Sequence, residues 1–109
     1  MRLSRQKIES RSKMASQMAV AIRTDAKDFL KAERHHHGVA PYYVQHLVTM
    51  ISHTVELCNQ NTVAALAALE LGALESADAL SRSAAYQVMS IKCLYEALEG
   101  SRGSDDSTN

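Results

Sequence analysis

The stretch LESADALSRSAAYQVMSIKCLYEAL, Leu74–Leu98, decides the fold class. Ala77, Leu80, Ala84, Val88, Ile91, Tyr95 and Leu98 recur along it at steps of three and four. An α-helix turns once in 3.6 residues, so side chains at these steps share one side and form an apolar stripe. The opposite side is not plain solvent surface. Tyr86, Met89 and Cys93 lie together there, flanked by Glu75, Asp78, Arg82, Lys92 and Glu96.

Immediately before this stretch, Val63, Leu66 and Leu69 start an Ala-rich segment whose thin sides let a neighbouring backbone come close. Gly72 bends or ends it. The pattern over 62–98 fits two helices or one kinked helix. Asn59-Gln60-Asn61 reads as a turn, with Asn61 or Thr62 as the next helix cap. Helix two is therefore placed at 42–59. Val44, Leu47, Val48, Ile51, Val55 and Cys58 form its core face. Its other side again carries large groups: Tyr42, Tyr43, His46, Met50, His53 and Leu57. A helix apolar on two sides is either sandwiched or presents a binding surface, and a domain this small has little chain with which to cover both.

The first helix spans about 4–34. Met14, Met18, Ile22 and Phe29 lie along one face, with Ala15, Ala19, Ala26 and Leu30 beside them and Asp25 interrupting. Arg23, Lys27, Lys31 and Arg34 share the opposite face, as a basic ridge that can track an anionic backbone or stay solvated. Gly38 suits the left-handed turn after a helix, and Pro41 suits a first helical turn. The short loop between them predicts an antiparallel hairpin.

At 109 residues the chain is one domain, expected over 1–99. The polar tail 100–109 (GSRGSDDSTN) is expected to be disordered. The formal net charge is zero, but residues 1–34 hold nine Lys/Arg and four Asp/Glu, and residues 35–109 hold three and eight. That asymmetry suits an acidic partner, head-to-tail pairing in an oligomer, or neutralisation within the fold. Cys58 and Cys93 form no CxxC pair and read as free thiols of a reducing compartment. No apolar run approaches the length of a membrane span. The start is Arg- and Ser-rich like an organelle presequence, yet helical phasing continues well past it. The expected localisation is cytoplasmic, with no membrane partner.

No arrangement in the sequence predicts catalysis. Ser4-Arg-Gln-Lys7 and Ser10-Arg-Ser-Lys13 match a serine-x-x-lysine pattern, but that chemistry needs a deep pocket and these lie in a basic arm. The glycines make no phosphate-cradling loop. All five histidines fall between His35 and His53, without HExxH or zinc-finger spacing, so no metal and no cofactor is expected. At an interface edge, histidines would make association depend on pH between about 6 and 7. The basic residues precede the core helices, and no aromatic platform accompanies them, which argues against sequence-specific nucleic-acid readout.

The expectation is an all-α bundle of three to four helices forming a homodimer. It is expected to be a non-enzymatic regulator acting by protein–protein interaction, for example by sequestering a transcription factor. Tyr42, Tyr43, His46, Met50, His53, Leu57, Tyr86, Met89 and Cys93 would form the partner or dimer interface. The alternative is a nucleic-acid-associated helical protein using Arg23, Lys27, Lys31 and Arg34 for backbone contacts.

Overall fold

The computed structural model describes residues 3–108, with side chains as far as residue 101. Three helices make an all-α bundle: α1 Arg5–His37, α2 Tyr42–Glu70 and α3 Leu74–Thr108. They run up, down and up, and the rod they form measures 56 × 22 × 16 Å.

Local chemistry explains each boundary. Ser4 caps α1, its Oγ accepting from the Lys7 N–H at 3.3 Å. The helix runs through all three consecutive histidines, beyond the expected end near residue 34. Gly38 then takes φ 79 and donates its N–H to the Arg34 carbonyl at 2.9 Å. Pro41 opens α2 at φ −56. At the other end of α2, Gly72 again takes φ 79. Its N–H reaches the Leu69 carbonyl at 3.0 Å, and the Ala73 N–H reaches Ala68 at 2.9 Å. This reciprocal pair is the Schellman closure, and it makes residues 62–98 parts of two helices.

The turn expected at Asn59-Gln60-Asn61 is not there; α2 passes straight through it. The polar side chains that suggested a turn reach across to the other helices instead of capping their own backbone. Ser16 Oγ donates to Asn59 Oδ1 at 2.7 Å, and Asn61 Nδ2 donates to Gln87 Oε1 at 2.9 Å. Thr62 Oγ1, buried, donates to the Ser12 carbonyl at 3.2 Å.

The core is a seven-residue repeat on all three helices. In α1 the buried residues are Ile8, Ser12, Ala15, Ala19, Ala26, Phe29 and Glu33, with Ile22 half-buried in the gap. In α2 they are Val44, Val48, Ile51, Val55, Cys58, Thr62, Ala65 and Leu69. In α3 they are Ala77, Ser81, Ala84, Val88, Ile91 and Leu98, with Tyr95 half-buried. Alternating steps of four and three average 3.5 residues, the repeat that keeps one seam of a helix against its neighbours. Two expected stripes shift accordingly. In α1 the alanines face inward and Met14 is exposed. In α3 the buried position is Ser81, with Leu80 only half-buried. Ser81 is tolerated because its hydroxyl accepts from Arg11 at 2.7 Å and donates to the Asp78 carbonyl at 3.1 Å.

The bundle tapers in side-chain size. Around the α2–α3 turn the core is built from Ser12, Ala15, Thr62, Ala65, Ala77 and Ser81, closed by Ile8 and Leu69. Towards the other end it is built from Phe29, Val44, Val48, Ile51, Val88, Ile91 and Leu98. The backbone of α3 continues as helix to Thr108, where the sequence suggests a disordered tail. Leu98 is the last buried residue described.

Candidate interaction face

The repeat that packs the core also sorts the surface. Tyr43, Met50 and Leu57 are seven apart and form one column on α2; His46 and His53 form the next. On α3, Tyr86 and Cys93 share a column and Met89 lies beside them. The antiparallel packing of α2 and α3 merges these columns. Met50 and Thr54 from α2 line a shallow groove with Met89, Ser90, Cys93 and Leu94 from α3. Large apolar groups stand open to solvent on this face: Met50 is 40% exposed, Leu57 38%, Tyr86 67% and Met89 61%. At its upper edge Tyr42 is exposed and stacks on His46, with ring centroids 6.1 Å apart. Tyr43 and His53 are exposed as well. Of the residues singled out on two separate helices, Met50, Met89 and Cys93 share one groove. Thr54, Ser90 and Leu94 were not expected there; the seven-residue columns would have placed them.

No Lys, Arg, Asp or Glu lines the groove, although Arg82 and Glu96 stand seven residues either side of Met89 in its own column. Between Tyr42 and Leu69 the only Lys, Arg, Asp or Glu is Glu56, and it turns towards α1, where Arg23 donates to it at 2.9 Å. On α3 the residues Glu75, Asp78, Arg82, Lys92, Glu96 and Glu99 all fall in the two columns of Asp78 and Arg82. Asp78 faces α1, where the Arg11 guanidinium donates to it at 2.8 Å. Arg11 first, and then Arg82 at 2.8 Å, hold the Asp78 carboxyl below its ordinary pKa. The opposed charges of the two halves of the chain therefore meet partly within the fold.

Two hydroxyls and one amide pair of the face are already satisfied. Thr54 Oγ1 donates to the Met50 carbonyl at 2.9 Å, and Ser90 Oγ to the Tyr86 carbonyl at 3.5 Å. Asn61 and Gln87 pair with each other. Hydroxyls bonded to their own helix lose little when water is removed, because no donor is left without an acceptor.

The two cysteines differ. Cys58 is buried, its Sγ 3.5 Å from the Ala84 carbonyl, and burial raises its pKa. Cys93 is exposed in the groove.

The basic ridge is thinner than the sequence suggests. Arg23 is engaged by Glu56; Lys27, Lys31 and Arg34 are exposed and make no ion pair among the described residues. His35, His36 and His37 contact one another edge-on, with centroids 5.4 and 6.4 Å apart, and His37 Nε2 lies 3.7 Å from Glu33 Oε2. Among the described residues no three His, Cys, Asp or Glu side chains are placed to share a metal ion. Ser4, from the first serine-x-x-lysine match, is engaged as the helix cap. Among the described residues no helix is long and apolar enough to cross a membrane. No protein-family model, curated protein or solved structure matches this chain.

Proposed function

We propose that this chain is a non-enzymatic regulatory protein that works by protein–protein contact, holding a partner such as a transcription factor on the outer face of α2 and α3. One observation carries the reading. A groove with no Lys, Arg, Asp or Glu in its lining runs between two helices, and large apolar groups, Met50, Leu57, Tyr86 and Met89, stand exposed on the same two helices. Apolar side chains arranged contiguously on a surface mark a place where water is to be displaced. Tyr and Met suit it: tyrosine brings a large rigid surface, and methionine adapts its shape to a partner.

The test is capture from native extract, with nuclease, by the wild-type chain and by Met50→Asp/Leu57→Asp. Both positions are solvent-exposed, so helicity should survive. The expected result is a stoichiometric protein held by the wild type and lost by the variant. A partner retained by a folded variant would refute the assignment.

Lys27, Lys31 and Arg34, exposed and without an ion pair among the described residues, favour one second reading, contact with an anionic backbone. It requires binding that weakens steeply with salt, with a slope reduced by Lys27→Ala/Lys31→Ala. A salt-independent response would remove it.

A further inference from the structure

We propose that a second copy of this chain covers the α2–α3 face, with a two-fold axis passing close to Thr54 and Ser90. The inference rests on the reading of that face as an interface and names its occupant in the free protein.

Three observations select a second copy. The first is charge. A two-fold axis brings like surface against like, so any Lys or Glu near it meets its own image. Such encounters are unfavourable, and this face has no Lys, Arg, Asp or Glu along its groove. The chain as a whole has a formal net charge of zero, so two copies do not repel at a distance either.

The second is shape. Thr54 and Ser90, one from each helix, are small groups in the groove lining, beside Met50, Met89, Cys93 and Leu94. Small residues in the lining let two helix pairs approach, and the flexible methionines of each copy can fill the space beside the other's groove. Both hydroxyls are bonded to their own helix, so closing the interface strands neither donor.

The third is area. The uncharged face runs over about 20 residues of α2, some 30 Å at 1.5 Å per residue. Two helices packed about 9 Å apart present a strip roughly 20 Å wide. Each copy would bury on the order of 600 Å², or about 1,200 Å² in total, which reaches the range of specific, stable interfaces. A regulator built this way keeps its working face covered until a partner displaces the second copy.

The experiment is sedimentation equilibrium on the full chain over a roughly hundredfold concentration range, beside the rate at which Cys93 reacts with a thiol reagent. The expected mass is twice 12.0 kDa, with a dissociation constant of about 10 μM or tighter. Cys93 labelling should slow as the dimer forms. Thr54→Lys and Ser90→Lys, each placing a charge beside its image, should weaken the dimer at least about tenfold with helicity retained. Val63→Lys, an exposed position outside the groove, should leave it unchanged.

A monomer at every concentration overturns the inference. So does a dimer indifferent to both lysine variants, or one in which Cys93 stays fully reactive, since either would lie elsewhere on the bundle. The two proposals fail separately. A monomer whose partner is still lost on Met50→Asp/Leu57→Asp defeats only the self-pairing. A dimer of the stated kind, with partner capture indifferent to that variant, defeats only the regulator reading.

Discussion

Ile91 and Met89 stand two residues apart on α3, and truncating each to alanine should give opposite results. Ile91 has no solvent exposure, whereas Met89 is 61% exposed. Ile91→Ala removes three carbons from the sealed core. At about 0.8 kcal/mol per buried methylene the loss is about 2.4 kcal/mol. A residual void of roughly 40 Å³ adds about 1 kcal/mol, at about 24 cal/mol per Å³. The sum, about 3.4 kcal/mol, is a large share of the roughly 5–15 kcal/mol available to a chain of this size. It should lower Tm by about 15 °C. Met89→Ala removes a side chain of similar size from the surface and should change monomer stability by less than about 0.5 kcal/mol. Urea titrations followed by helical circular dichroism, at low protein concentration and with unchanged slope, measure both. A cost below about 1 kcal/mol for Ile91→Ala, or equal costs for the two variants, would mean that the seven-residue register described for α3 is wrong.

Three further outcomes follow from single sites. Gly72→Ala should destabilise by about 1 kcal/mol, because φ 79 strains any side chain there although nothing lies within 4 Å of the added carbon; an unchanged thermal midpoint would contradict it. Asp78, whose carboxyl is lowered from 3.8 by Arg11 and Arg82, contributes stability that is present above pH 3.8 and lost as pH falls through its lower folded value. Acid titration should therefore weaken the fold below pH 3.8, and Asp78→Asn should flatten that limb; an identical acid limb in the variant would exclude the role. A thiol reagent should modify Cys93 in the native monomer and Cys58 only after unfolding, as mass spectrometry of the native and denatured protein would read; equal native rates would contradict the burial of Cys58.

The helical class and the inner face of α2 were legible because Val44, Val48, Ile51, Val55 and Cys58 are large enough to stand out against polar neighbours. The register of α1 was not. Its buried positions are mostly alanine and serine, and bulk drew the eye to Met14, which is exposed. Apolar size is a poor guide where helices pack closely, since small residues are what allow the approach. The false turn at Asn59-Gln60-Asn61 has a related cause. Asparagine favours turns when its amide bonds locally, but Asn59 and Asn61 bond to Ser16 and Gln87 on other helices, which no local pattern reveals. The surface was more readable than the core. Tyr42, Tyr43, His46, Met50, His53, Leu57, Tyr86, Met89 and Cys93 are all exposed, because they stand outside both the packed seam and the positions flanking it. What the sequence concealed was the merging of the two helices' columns, which depends on how α2 and α3 are placed against each other.

The taper of the core has a consequence for how that face behaves. Ile51, Val55, Val88 and Ile91 are buried core residues next in sequence to the groove residues Met50, Thr54, Met89 and Ser90, whereas the small residues and hydroxyls gather towards the α2–α3 turn. Local opening is governed by the apolar contact that must be broken, so the turn end should breathe first and the backing of the groove last. Amide exchange would register this as slow protons on the middle of α2 and α3. A surface backed in this way would meet a partner already ordered, and little conformational freedom would be surrendered on joining it. The residues that make the bundle rigid are thereby the ones that keep its outer face ready for the proposed contact.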